Sequence, residues 1–258
     1  MASEQLRVLI TNDDGYQARG IRALATAIAE RGHDVQVVAP LDDQSGVGTA
    51  RAGWIDRPIA TRSEDADGIT YIGIGGTPAL AVTLARVGAF GKPPDLVVSG
   101  INHGYNFGII LHSGTVGAAL TAATQGLSGL AVSIGGDNPQ HLETAAEVGA
   151  ELVGWLSEAP TGTVLNVNVP DRPLSELNGV RSARLAPYNP NRLVAGLAPT
   201  GEPTVSLRTP DPTENPDTDE ALLASGYVTI TPVVGIQEAP DDAPAQYLTE
   251  RQEFGRRL

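Results

Sequence analysis

Two adjacent carboxylates, Asp13 and Asp14, stand one residue after an apolar run, Leu6 to Thr11, and directly before Gly15. Like charges this close repel each other, and a cation between them removes the repulsion. Gly15 lets the chain turn tightly at that point. Ser45 and Asn102 follow two further apolar runs and would add neutral oxygens. Such a donor set suits Mg²⁺, Mn²⁺ or Ca²⁺ better than zinc. The plainer reading of the same pair is structural: either aspartate caps the next helix or closes an Asx-turn.

Ser113-Gly114-Thr115 opens a second candidate feature, because an apolar helical pattern follows it. Ser and Thr there serve as caps, yet the same helix start presents free N–H groups and a positive dipole end that suit a phosphate. Asn12 and Asn106, beside the paired carboxylates and Asn102, join these three as candidate phosphate or substrate ligands. Of the four histidines, His103 and His112 flank this group and are candidate proton donors, whereas His33 and His141 read as surface residues near helix ends. The chain has no cysteine, which excludes disulfides, thiolate metal sites and a cysteine nucleophile. There is no Gly-x-Ser-x-Gly elbow, no phosphate loop of the ATPase type and no dinucleotide fingerprint after the first strand.

To bring these residues together, the chain must place them at one edge of a sheet. Leu6–Thr11 and Val35–Ala39 read as strands, with Ile21, Leu24, Ala25 and Ile28 at helical spacing between them. Near-continuous β-branched runs joined by a helix imply a parallel sheet buried on both faces. A helix from Pro78, a strand at Asp95–Ser99, a helix from Ser113, a strand at Leu130–Ile134, a long helix containing Leu142 to Leu156 and a strand at Val164–Val169 continue the alternation. The result is an α/β, Rossmann-like, doubly wound and mostly parallel sheet, with ligands expected beyond the carboxyl ends of its strands. After Pro170 the texture changes to a Pro-rich polar stretch and then to Gly226–Pro232, whose period of two suits an exposed or hairpin strand. We therefore expect a single domain over 1–258, with a core of about 1–175, an arm of about 176–236 and a polar tail of about 237–258.

A formal net charge of −13 with Lys92 as the only lysine argues against a nucleic-acid polymer as partner. No apolar run is long enough to span a bilayer, and the N-terminus lacks the apolar segment of a signal peptide, so neither a membrane partner nor export is expected and the cytoplasm is the default.

At these residues the chain resembles the SurE (survival protein E) family of metal-dependent nucleotidases and acid phosphatases. The blocks that carry the resemblance are Thr11–Gly15, Val38–Pro40 with Ser45-Gly46, Gly76–Ala79, Val98–Asn106, Ser113–Ala119, Asn166–Pro170, and Thr218-Asp219 with Gly226–Pro232, in that order. The resemblance implies one divalent ion per subunit, Mg²⁺ or Mn²⁺, held by Asp13, Asp14, Ser45 and Asn102. It implies hydrolysis of nucleoside 5′-monophosphates, with 3′-monophosphates or short polyphosphate as further small phosphate-ester substrates. Asp13, Asp14 and Asn102 would form the catalytic set, with either water or the Asp13 carboxylate attacking phosphorus. It also implies a homodimer or homotetramer built through the C-terminal arm. Two departures stand out: Ile109–His112 is one residue short and lacks the usual Asp, and Leu80 replaces a common Asp. These keep a second reading open, that of a catalytically weak or silent nucleotide-binding protein on the same scaffold. A receiver-like signalling module fits poorly, because Lys92 precedes its strand at the wrong edge.

Overall fold

The computed structural model describes residues 5–51, 56–136, 138–187, 193–207 and 215–235. The expected polar tail of 237–258 lies outside the described residues. The main sheet contains β1 (Arg7–Thr11), β2 (Asp34–Pro40), β3 (Thr61–Ala66), β4 (Ile69–Ile74), β5 (Leu96–His103), β6 (Ser128–Ile134), β7 (Val164–Val169), β8 (Val180–Ser182) and β11 (Val228–Val233). Its order is β3-β4-β2-β1-β5-β6-β7-β11-β8. The six strands from β4 to β7 in that order run parallel, while β3 and β11 pair antiparallel to their inner neighbours. The chain winds outward from β1 on one side and from β5 on the other. The switch point between those two strands is where such sheets open a crevice.

Helices cover both faces. On one face α1 (Arg19–Glu30) packs beside α4 (Leu142–Glu158). The helical spacing of Ile21, Leu24, Ala25 and Ile28 puts all four into the core against Val8, Ile10, Val98 and Val132. Burying a side chain the size of leucine or isoleucine contributes about 1.5–3 kcal/mol, so this stripe fixes the helix more firmly than its uncapped start does. On the other face α2 (Pro78–Arg86) packs beside α3 (Gly114–Thr124). Thr77 caps α2 by accepting the Leu80 N–H at 3.2 Å, and Pro78 occupies the first turn, where its missing N–H costs nothing.

α3 is buried over most of its length and is built from small residues, which lets it approach its neighbours at backbone distance. A β-carbon at Gly117 would lie 2.4 Å from the Gly48 carbonyl oxygen, so the loop after β2 rests directly on α3. The Gly48 N–H donates to the His112 carbonyl at 3.0 Å and ties that loop to the turn preceding α3.

Three features differ from the sequence expectation. β3 and β4 were not anticipated; β3 is polar and mostly exposed, and only its pairing with β4 defines it as a strand. The strand near Val228 is not part of an exposed arm. It joins the main sheet as β11, with Val228 and Thr229 fully buried, so the core layer extends to Val233. What remains outside the main sheet is a separate two-stranded ribbon, β9 (Leu193–Leu197) with β10 (Pro203–Leu207). Finally, His33 is 8% exposed, and its Nδ1 accepts the Leu6 N–H at 3.4 Å, so it is an interior residue.

Candidate active site

β1 and β5 deliver the central groups to the switch point. Asp13 and Asp14 follow β1, and Asn102 and His103 end β5, whose pairing with β6 shifts register between Ser99 and Asn102. The loop after β2 adds Asp43 and Ser45 and is pinned by the Gln44 N–H, which donates to the Asp13 carbonyl at 2.7 Å. The start of α3 adds Ser113, Gly114 and Thr115.

Asp13 is almost fully buried and clamped by Thr115. The Thr115 hydroxyl donates to Asp13 Oδ1 at 2.6 Å, and the Thr115 N–H donates to Oδ2 at 3.2 Å. Burial holds the Asp13 carboxyl above the usual carboxylate range, while both Thr115 bonds pull the other way. Asp14 has no such clamp. Its Oδ2 is buried without a hydrogen-bond partner, and burial, with the charges of Asp13 and Asp43, raises its pKa to about 7. Asp43 was not singled out as a site residue by the sequence. Its Oδ1 accepts the Ser45 N–H at 2.7 Å and the Ser45 hydroxyl at 2.6 Å, an Asx-turn whose Asp-x-Ser spacing was the available signal. The Asn102 amide nitrogen is engaged with the Gly104 carbonyl at 2.7 Å, which leaves its Oδ1 as the open end.

Two candidate substrate ligands have other duties. The Asn12 amide is used at both ends on Gly15, accepting its N–H at 3.1 Å and donating to its carbonyl at 3.0 Å. Fully buried, Asn12 closes the turn that presents the two aspartates. Thr115 is likewise fully buried, and its donors face Asp13. Gly114 sits against the same carboxylate: a β-carbon there would be 2.8 Å from both Cβ and Oδ2 of Asp13. The Ser113 oxygen caps α3 by accepting the Val116 N–H at 3.1 Å, which leaves its hydroxyl proton available.

Asn106 belongs to a buried amide network. Its N–H donates to Asn168 Oδ1 at 2.8 Å and its Nδ2 to Ser133 Oγ at 2.8 Å. Its carbonyl accepts from Asn166 at 2.6 Å and from Asn168 at 2.9 Å. The alternation Asn166-Val167-Asn168 in a buried strand was the sequence signal for this network, because both amides point to one face. His103 is half-buried with Nε2 unpartnered, and burial together with the charge of Arg19 lowers its pKa. His112 is exposed on the short turn before α3.

Among the described residues, no three His, Asp or Glu side chains converge as a ready-made metal cluster. A cation here would depend on two carboxylates and neutral oxygens. The unpartnered buried Oδ2 of Asp14, repelled by two other carboxylates, and the Asn102 and Ser45 oxygens, with lone pairs that the hydrogen bonds of those residues leave unused, fit that requirement.

Fold and site together define a class: doubly wound α/β proteins that gather acidic and neutral oxygens at the carboxyl edge, beside a helix N-terminus. The family model described as Survival protein SurE matches residues 8–191, and the chain belongs to the SurE family. It is 39% identical over 235 residues to the 5′-nucleotidase SurE of Methylococcus capsulatus, covering 88% of this chain and 91% of that protein. It is 38% identical over 234 residues to the 5′/3′-nucleotidase SurE of Proteus mirabilis, covering 88% and 89%. Among solved structures, the SurE protein of Aquifex aeolicus matches with a TM-score of 0.78 and 32% identity, over 94% of this chain and 99% of that one. No helix among the described residues is long and apolar enough to cross a membrane.

Proposed function

We propose that the protein is a divalent-metal-dependent phosphomonoesterase that hydrolyses nucleoside 5′-monophosphates to nucleoside and phosphate, with 3′-monophosphates and short polyphosphate as further substrates. The nucleotidase names of relatives 38–39% identical over most of the chain support this reading. The observation that carries it is the buried, unpartnered oxygen of Asp14 beside Asp13, at the foot of the α3 N-terminus. Asp13, Asp14, Ser45 and Asn102 would hold one Mg²⁺ or Mn²⁺. When bound, the ion supplies the positive centre that offsets the carboxylates and the phosphate.

The chain's own groups do the rest. The N–H of Gly114 makes no hydrogen bond among the described residues, and with the Ser113 hydroxyl it binds phosphate oxygens at the positive end of α3. Asn106, held rigid by Ser133, Asn166 and Asn168, lines the same edge. Thr115 holds both Asp13 oxygens and orients the carboxylate as an ion ligand, and in this reading water is the nucleophile. Burial and the charge of Arg19 lower the His103 pKa, and its unpartnered Nε2 is available for a hydrogen bond to the ester. Assembly as a homodimer or homotetramer through the β9–β10 ribbon is part of the same reading, supported by Leu197 and Val205, exposed at 73% and 69%.

The direct test is phosphate release from 5′- and 3′-nucleoside monophosphates and tripolyphosphate in the presence of Mn²⁺ or Mg²⁺. Release from at least the 5′-monophosphates is expected; binding without release from any of them would identify a silent nucleotide-binding protein instead. A second expectation concerns Thr115. Thr115→Val removes the 2.6 Å bond to Asp13 Oδ1 and should weaken Mn²⁺ binding about ten-fold, with Thr115→Ser restoring most of it. Calorimetric titration of Mn²⁺ into the three proteins measures this, and equal affinities would show that the clamp has no bearing on the ion.

A further inference from the structure

Asp219 opens the short helix α5 (Asp219–Ala224) and is fully buried, yet nothing in the site chemistry uses its charge. Its Oδ1 accepts the N–H groups of Ala186 and Glu220, each at 2.9 Å, and its Oδ2 accepts the N–H of Gly108 at 3.2 Å. Burial holds the carboxyl above its usual range, and those three bonds partly offset the cost. The donors come from three separate segments: the turn after β5, the chain running out toward the ribbon, and the start of α5.

The backbone around this carboxylate is equally tight. The Arg184 N–H donates to the Asp217 carbonyl at 3.0 Å, and the Asp219 N–H returns to the Arg184 carbonyl at 2.8 Å. A β-carbon at Gly108 would lie 3.0 Å from the Ala186 carbonyl oxygen, so the turn is pressed against the base of the arm. Gly108 is two residues from Asn106, which the Ser133 hydroxyl of β6 and the Asn166 and Asn168 amides of β7 hold. The turn over 104–109 is thus held by that network and, through the Gly108 N–H, by Asp219.

We propose that Asp219 is a positioning residue for nucleotide hydrolysis: it fixes the 104–109 turn against the arm base and so sets where Asn106 meets the substrate. This rests on the phosphomonoesterase reading, and it makes the buried Asp219 carboxylate a physical link between arm and site.

Asp219→Asn keeps the shape but places an NH₂ group where one N–H now finds an acceptor. With this variant, the KM for a nucleoside 5′-monophosphate is expected to rise about five-fold or more, while half-saturation by Mn²⁺ changes less than about two-fold. Hydrogen exchange should accelerate in peptides covering 104–110 and 184–187 and stay unchanged in β1 and β6. A fall in kcat with KM and those exchange rates unaltered shows that the side chain does not act through the turn and overturns the proposal. So does faster exchange throughout the chain, β1 and β6 included, with KM unaltered, which is the mark of ordinary destabilisation. If the variant does not fold, the unaltered protein decides: protected amides at Gly108 and Ala186 support the tether, and exchange of Gly108 at the rate of an exposed loop refutes it. If the unaltered protein releases no phosphate from any ester, the phosphomonoesterase reading falls, and the exchange measurement judges the tether by itself.

Discussion

Asp14→Asn is expected to reduce phosphate release about a thousand-fold and, in metal-free protein at pH 7.5, to raise the melting temperature. The two effects have one cause. In the folded protein burial, then the Asp13 and Asp43 charges, raise the Asp14 pKa to about 7 from an ordinary value of 3.8. A carboxyl whose pKa is higher folded than unfolded binds more protons when folded, so its ionisation opposes folding. The penalty is absent below about pH 4, grows as pH rises toward 7, and is constant above that. Asn carries no charge and escapes it, although its buried NH₂ needs a partner and takes back part of the gain. We expect a net gain of about 1–2 kcal/mol, or roughly 2–8 °C for a chain of this size, at pH 7.5, and none at pH 4.5. Differential scanning calorimetry at the two pH values, alongside phosphate-release kinetics, checks both halves. A variant that is less stable at both pH values yet turns over normally would show that the Asp14 charge has neither cost nor use.

Chelation gives the second large effect. Removing divalent ions with EDTA should lower phosphate release to about one per cent or less, with Mn²⁺ or Mg²⁺ restoring it. An ion that binds only the folded state at about a hundred times its dissociation constant adds roughly 2.7 kcal/mol, a melting shift of about 5–10 °C. Binding requires ionised carboxylates, so this shift should shrink as pH falls below about 7, where Asp14 takes up its proton. It should be largely lost in Asp14→Asn at any pH. Undiminished hydrolysis after exhaustive chelation, with no melting shift on adding Mn²⁺, would remove the ion from the account.

The site was legible wherever chemistry sat at the end of an apolar run. Asp13-Asp14 after β1 and Asn102-His103 at the end of β5 could be read as one edge because both strands open on apolar runs and both run into polar, turn-forming residues. The block-by-block resemblance then supplied the order and the expected chemistry. Side-chain direction was not legible. Thr115 and Asn12 have the right composition for phosphate ligands, but one turns inward to Asp13 and the other closes on Gly15, and only three-dimensional placement separates these roles. β11 misled for a related reason. Thr229 and Thr231 make its pattern look half solvated, whereas they lie opposite Asn168 and Asn166 on a buried polar face. β3 gave no signal, because a polar hairpin strand is defined by its partner rather than by its own periodicity.

The contact between Gly117 and Gly48 has a consequence for how this chain can drift over generations. Helix and loop touch there through main chain alone, with room for no atom larger than hydrogen between them. A single methyl at position 117 would push the loop outward and carry Ser45 away from the two aspartates. Activity could then be lost through a change at a residue that touches neither ion nor ester, and a survey of site residues alone would score such a sequence as intact.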